Sequence, residues 1–170
     1  MNNLSFDKFV KKILIKAPLE KIYWCWSTED GLTSWFLRAS DHIRDGKRIN
    51  HQETVKAGDE YLWMWYNWDG EEKGIVKEAN GKDHIVFSFA GECTLDIQLR
   101  SLKEGTLLVL TQSDIPTDDK SKLNIYSGCS SGWSFWLTNL KAFLEHGILL
   151  HETSLDLRDD PNAAFEYVNI

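Results

Sequence analysis

The chain has 170 residues, a length that fits one domain able to build its own core without metal or disulfide staples. Its net charge is −7 and its pI is about 5.2. We therefore expect no nucleic-acid partner and no attraction to anionic membranes, since both need clustered lysine and arginine. No apolar run reaches the length of a membrane-spanning helix, so no membrane insertion is expected.

The first elements are predicted to be one strand and two short helices. Phe9–Lys16 is rich in apolar and β-branched residues, which is typical of a strand. Pro18 suits the first position of a helix, and Thr28 suits the cap of a second helix that follows at once. Each helix has apolar residues spaced to share one face. These faces comprise Ile22, Tyr23 and Trp26 in the first helix, and Leu32, Trp35 and Phe36 in the second.

From Leu37 to Gln112 the sequence predicts strands joined by tight turns. Aromatic content and alternation indicate the strands, while Asp-Gly, Asn-Gly and Glu-Gly pairs indicate turns. Together they predict an antiparallel meander, curved by the natural twist of a sheet. The polar stretch Arg44–Val55 carries no clear prediction. The predicted strands are Ala39–Ile43, Glu60–Trp68, Lys73–Glu78, His84–Ala90, Thr94–Leu102 and Thr106–Gln112.

The last clear element is a long helix around Trp133–His146, whose apolar residues recur at the spacing of one helix face. Ser130 or Ser131 is a candidate cap, and Gly147 can close the C-terminus. The sheet is the large apolar surface that can cover this face. We therefore predict an α+β fold in which a curved antiparallel sheet grips the helix. The apolar face comprises Trp133, Trp136, Leu137, Leu140, Phe143 and Leu144.

Aromatic residues are frequent, with eight Trp, eight Phe and five Tyr. Alternation places Tyr61, Trp63 and Trp65 on one face of a strand, and Phe87 and Phe89 on one face of another. Two interpretations stay open. The rings can interdigitate and fill the interior, or they can line a groove between sheet and helix, because ligand sites are mostly apolar and aromatic.

Five motifs, in matching order, resemble those of the SRPBCC superfamily, also called START-like or Bet v 1-like. I-x-A-P-x-E-x-I-Y (Ile15–Tyr23) resembles its entry motif, and T-E-D-G-L-T-S-W-F (Thr28–Phe36) its second-helix signature. A-G-D-E-Y (Ala57–Tyr61) is similar to its P-G-G-x-F strand entry. G-T-L-L-V-L-T-Q-S-D-I-P (Gly105–Pro116) and S-G-W (Ser131–Trp133) resemble the branch named after the activator of the heat-shock protein 90 ATPase.

The resemblance implies a helix-grip fold with a cavity between the long helix and the sheet. Members of the superfamily bind lipids, hormones or polyketide-like molecules, some are enzymes, and the branch includes co-chaperones. The co-chaperone proper carries an additional N-terminal domain that has no counterpart in this sequence, so a chaperone partner is only an alternative. The sequence also departs from the family at Gly31, where proline is common, and at Ala57, where the family has glycine.

Alternation and the resemblance together give a set of residues expected to contact an apolar ligand, with one polar member, Gln112. The set comprises Trp35, Phe36, Tyr61, Trp63, Trp65, Phe87, Phe89, Gln112, Trp133, Trp136 and Leu140.

Catalysis, cofactors and metals have little support in the sequence. His146 and His151 are separated by Gly147 and lack the spacing of helical metal ligands. Cys25, between two tryptophans, is expected in the core, and Cys129 just before the long helix is the better candidate nucleophile. No glycine-rich phosphate loop is present. We therefore expect no metal and no cofactor.

The cysteines form no C-x-x-C pair and are odd in number, which predicts reduced thiols and a cytoplasmic protein. We divide the chain into a helix-grip domain, residues 1–147, and an extension, residues 148–170, expected to pack on its own domain or on a second subunit of a homodimer. The leading hypothesis is a non-enzymatic binder of an apolar small molecule. The alternatives are a co-chaperone-like or stress-related interaction module and an enzyme acting on a hydrophobic substrate in the same cavity.

Overall fold

A computed structural model describes residues 5–161 and 166–169 of the chain. Within these residues one eight-stranded antiparallel sheet has the strand order β1-β8-β7-β6-β5-β4-β2-β3. Its strands are β1 (Phe9–Ile15), β2 (Ala39–Arg44), β3 (Lys47–Arg48), β4 (Glu60–Met64), β5 (Glu71–Ala79), β6 (His84–Phe89), β7 (Cys93–Leu102) and β8 (Gly105–Ser113).

The meander predicted after Leu37 is confirmed, with two differences. Strand β4 ends at Met64, whereas the aromatic run predicted a strand to Trp68. The chain turns there because Asn67 adopts a left-handed conformation with φ of 56°, which asparagine tolerates better than most residues. The stretch without a prediction contributes only the two-residue strand β3, which pairs with β2.

Two short helices, α1 (Leu19–Ser27) and α2 (Glu29–Thr33), follow β1 as predicted. The Thr28 hydroxyl accepts a hydrogen bond from Gly31 N at 2.9 Å, so the predicted cap is confirmed. A Cβ on Gly31 would lie 2.0 Å from the carbonyl oxygen of Trp24. The tight junction between the helices therefore requires glycine at this position.

The long helix starts earlier than its apolar pattern indicates. A helical run begins with α3 (Asp119–Ser121), continues through a π-helical segment (Lys122–Ser127) and ends with α4 (Gly128–His146). The cap predicted at Ser130 or Ser131 is wrong, and Asp118 caps the run by accepting from Ser121 N at 3.0 Å. Glycine, serine and asparagine are weak helix formers and add nothing to the apolar face, so the apolar spacing did not predict this polar start of the helix.

Helix α4 lies in the grip of the sheet and buries Trp133, Leu137 and Leu140. It also reaches the edge strand β1, where the Lys141 ammonium donates to the Leu14 carbonyl at 2.7 Å. Gly147 closes α4 with φ of 68°, the left-handed conformation expected of a C-terminal glycine. The predicted α+β helix-grip fold is confirmed.

Candidate functional site

A closed ring core occupies the space between α1, α2 and the sheet. We use this name for Trp26, Trp35, Trp63 and Phe87, whose side chains are fully buried. Trp26 meets Trp35 edge-on at 5.1 Å between ring centroids, and Trp63 meets Phe87 in the same way at 5.1 Å. Such edge-to-face geometry is favourable for aromatic pairs. In this region the rings interdigitate, as the filled-interior interpretation predicts.

An aromatic recess of about 140 Å³ lies beside the closed ring core, between α4 and the sheet. Phe36 connects the two regions, since it stacks on Trp35 at 5.0 Å and also borders the recess. On α4, a Cβ added at Gly132 would meet no atom within 4 Å, so the missing side chain leaves open space. The recess is lined by Phe36, Trp65, Phe89, Cys129, Gly132, Trp133 and Trp136.

The predicted ligand contacts fall into two groups in the structure. Five of them border the recess: Phe36, Trp65, Phe89, Trp133 and Trp136. The others are buried behind it and do not border it: Trp35, Tyr61, Trp63, Phe87, Gln112 and Leu140.

Gln112 is buried behind the recess and holds one of its walls. Its side-chain carbonyl accepts a hydrogen bond from the Trp133 indole N–H at 3.1 Å. Burial raises the pKa of the neighbouring Cys93 and Cys129 thiols, and the Gln112 side chain offsets part of that rise. Gln112 therefore fixes the Trp133 ring.

The thiols are poor nucleophiles at neutral pH, since the thiolate is the reactive form. Cys129 lies inside α4 and not before the helix, so it lacks the helix N-terminus that would stabilise a thiolate. Burial raises the pKa of Cys25 to about 12. The expectation that Cys129 precedes the helix is therefore wrong, and the expectation that Cys25 is in the core is confirmed.

Glu72 is an inward-facing carboxyl that the sequence analysis missed. It pairs with Trp63 across β4 and β5, and residues paired in this way share one face of a sheet. Its carboxylate accepts from Ala90 N at 2.7 Å. Burial raises the pKa of Glu72, and the hydrogen bonds from Ala90 and Gly91 offset part of that rise. The alternation of β5, on which Val76 faces the core, was the signal that could have identified it.

Asn139 and His151 join the segment after α4 to the helix, and both were missed as site residues. The Asn139 amide donates to the Trp35 carbonyl at 2.5 Å and lies 3.1 Å from His151 Nδ1, while its oxygen accepts from Leu150 N at 2.7 Å. The His151 ring lies 5.2 Å from Trp136, a wall of the recess. The available signal was an asparagine placed between Leu137 and Leu140 of the apolar helix face, because such a polar group needs hydrogen-bond partners when the face is buried.

A polar cleft of about 230 Å³ lies between the β4–β5 connection and the chain after α4. Asn67 holds its two sides together by accepting from Leu157 N at 2.8 Å. Trp65 borders both this cleft and the aromatic recess. The cleft is lined by Arg38, Trp65, Tyr66, Asn67, Trp68, Thr153, Ser154, Leu155, Asp156 and Arg158.

Among residues 5–161 and 166–169, no cluster of His, Cys, Asp and Glu could hold a metal ion. No helix in the same part of the chain has the length and apolarity needed to cross a membrane.

The family model for "Activator of Hsp90 ATPase homolog 1-like protein" matches residues 16–145. No curated protein matches the chain. Protein SSP2350 from Staphylococcus saprophyticus has a similar structure, with 21% identity and a TM-score of 0.68 over 86% of this chain and 97% of that chain.

Two further solved structures are similar. The Aha1 dimer from Colwellia psychrerythraea has 22% identity and a TM-score of 0.64 over 82% of this chain and 97% of that chain. Protein MLL2253 from Mesorhizobium loti has 16% identity and a TM-score of 0.66 over 84% of this chain and 99% of that chain. At these identities the similarity shows a common fold.

Proposed function

We propose that this chain, which belongs to the family of Activator of Hsp90 ATPase homolog 1-like proteins, binds an apolar small molecule without chemical conversion. The observation that carries the proposal is the aromatic recess of about 140 Å³. An engineered apolar cavity of about 150 Å³ in another protein binds benzene, so the recess suits a ligand of one aromatic ring. The residues that line the recess in the described part of the chain are rings, Cys129 and Gly132, and none of them carries a carboxyl or imidazole group.

The size of the recess also sets the expected affinity. Burying about 150 Å² of ligand surface at roughly 25 cal/mol per Å² contributes about 4 kcal/mol. Since association itself costs entropy, this contribution allows a dissociation constant no tighter than on the order of 1 mM for the ring alone. A tighter physiological ligand therefore needs further contacts outside the recess.

Gly132→Leu tests the proposal because its side chain can enter the open space beside Gly132 and fill the recess. Gly128→Leu is the matched control, since Gly128 lies on the same helix with equally open surroundings but does not border the recess. Ligand-observed NMR with toluene should show binding to the wild type and to Gly128→Leu, and a loss of at least about tenfold for Gly132→Leu. Equal binding by the two variants would contradict the proposal.

A second candidate function is a co-chaperone-like or stress-related interaction module. The family supports it, and so does Leu123 on the π-helical segment, which is 70% exposed. The test is the ATPase rate of Hsp90 from the same host, with wild type and with Leu123→Ser. Stimulation by the wild type that Leu123→Ser weakens would support this function, and an unchanged rate together with no co-elution would contradict it.

We further propose that the protein works in the cytoplasm as a homodimer. Cys25, Cys93 and Cys129 are all unpaired, which fits a reducing compartment. The structural similarity to the Aha1 dimer motivates the second part of the proposal. Light scattering during gel filtration should give twice the 19.7 kDa chain mass. A mass of one chain at micromolar concentration would argue against the dimer.

A further inference from the structure

The polar cleft and the aromatic recess meet at Trp65, which lines both. Phe36 borders the recess, and Arg38, two residues later, borders the cleft. Two residues of extended chain span at most about 7 Å. The two cavities are therefore adjacent, and a ligand seated in the recess reaches the cleft beside Arg38 by passing Trp65.

Arg38 carries a guanidinium group with unused hydrogen-bonding capacity. Its Nε donates to the Trp65 carbonyl at 3.3 Å, and one Nη lies 3.9 Å from the Met64 sulfur, a weak acceptor. No carboxylate in the described part of the chain forms an ion pair with Arg38. An arginine always carries its charge, and its N–H groups match the geometry of a carboxylate.

The second guanidinium of the cleft, that of Arg158, is already paired with two carboxylates. It forms ion pairs with Asp156 at 2.6 Å and with Asp69 at 3.0 Å. With Arg158 these two carboxylates have a net charge of −1, which repels a doubly charged phosphate more strongly than a singly charged carboxylate. The arrangement therefore favours one single negative charge, placed at Arg38.

We propose that the ligand is an amphipathic carboxylate, with its apolar ring in the aromatic recess and its carboxylate on Arg38 in the polar cleft. This proposal rests on the proposed binding function and gives it a substrate class. It also supplies the contacts outside the recess that the small apolar volume requires. Trp65 then lies between the two ends of the ligand and contacts both.

The probes that test it are 3-phenylpropanoate and its neutral isostere 3-phenylpropanamide, titrated by calorimetry. The wild type should bind the carboxylate more tightly than the amide by a factor of up to about five, the upper limit expected of one exposed charged pair. Arg38→Gln should abolish that preference, so that the two probes bind with equal affinity. The matched control is Arg100→Gln, an exposed arginine on β7 outside both cavities, which should leave both affinities unchanged.

The outcomes separate this proposal from the function on which it rests. Equal affinities for the two probes, with binding still lost in Gly132→Leu, would overturn the carboxylate assignment and leave the recess as the binding site. Binding of neither probe, or binding that Gly132→Leu does not change, would overturn both. Arg38→Lys keeps the charge but not the planar fork, and a carboxylate preference between those of wild type and Arg38→Gln would support direct contact.

Discussion

The closed ring core and the aromatic recess are built from the same residue types, yet one is filled and the other open. In the core, Trp63 and its neighbours contact rings on several sides. At the recess, α4 contributes Cys129 and Gly132, which are too small to fill the space between Trp136 and Phe89. Aromatic content therefore does not distinguish a filled interior from an open recess. The small residues on the facing helix do.

The largest expected difference between the two regions concerns tryptophan truncation. Trp63→Ala should lower the free energy of unfolding by about 3–5 kcal/mol, because it removes a buried ring from a region with no room to collapse. Trp65→Ala should cost less than half as much, because Trp65 is partly exposed, and it should weaken ligand binding. Urea unfolding of both variants, followed by circular dichroism, measures the difference.

Trp63→Phe is the matched control for Trp63→Ala. It keeps a ring and removes an indole N–H that has no acceptor among the described residues. We expect a loss well below that of Trp63→Ala, since removing an unsatisfied buried donor offsets part of the lost packing. Equal losses at positions 63 and 65 would show that the two regions do not differ in packing.

Acid should destabilise the folded protein through His42, which is fully buried. Burial lowers the pKa of His42 to about 4, although Glu29, Asp59 and Asp41 favour its charged form. The unfolded imidazole, with a pKa near 6.5, binds a proton before the folded one does. Stability contributed by neutral His42 is therefore full above about pH 6.5 and is lost as pH falls toward 4, by about 3 kcal/mol in all.

The measurement is the free energy of unfolding at pH 7.5 and pH 5 for wild type and His42→Gln. Glutamine cannot take up a proton, so the variant should lose less stability between these two values. If His42→Gln loses as much free energy of unfolding between pH 7.5 and pH 5 as the wild type does, other groups cause the acid sensitivity. Glu29 and its ion pair with Arg48, at 2.8 Å, lie next to His42 N and are the nearest alternative.

Much of this molecule could be predicted from local pattern alone. Alternation identified the strands, such as β7 with Leu95 and Ile97 buried and Gln98 exposed, because the period of a strand requires no knowledge of its neighbours. The site was harder to predict. Whether Trp63 or Trp65 borders open space depends on which α4 residues face them, and that pairing joins positions far apart in the sequence.

Functional candidates were missed for the same reason. Arg38 and Asn139 carry no motif, and their roles arise from the segment after α4, which brings Leu157 to Asn67 and His151 to Asn139. A sequence pattern records spacing along one element and not which distant segment covers it. The π-helical start of the long helix was missed because its residues form no regular apolar face.

Two glycine-to-alanine substitutions are expected to have smaller effects on the free energy of unfolding. The first is Gly31→Ala. The added methyl would overlap the Trp24 carbonyl, so the junction of α1 and α2 must shift. We expect a loss of about 1–3 kcal/mol, which is typical of overpacking. Thermal unfolding measures it, and an unchanged melting temperature would mean that α2 can move away from α1 without loss.

Gly132→Ala should change the free energy of unfolding least of these variants, and it should raise that free energy. The new methyl meets no atom within 4 Å, and alanine is favoured over glycine inside a helix by about 0.5–1 kcal/mol. The variant should therefore unfold at a slightly higher temperature while its recess becomes smaller, so that toluene binds more weakly. Gly128→Ala should give a similar stabilisation without the loss of binding. If Gly132→Ala destabilises the protein, the space beside this glycine is closed in solution, and the contrast between a filled core and an open recess is wrong.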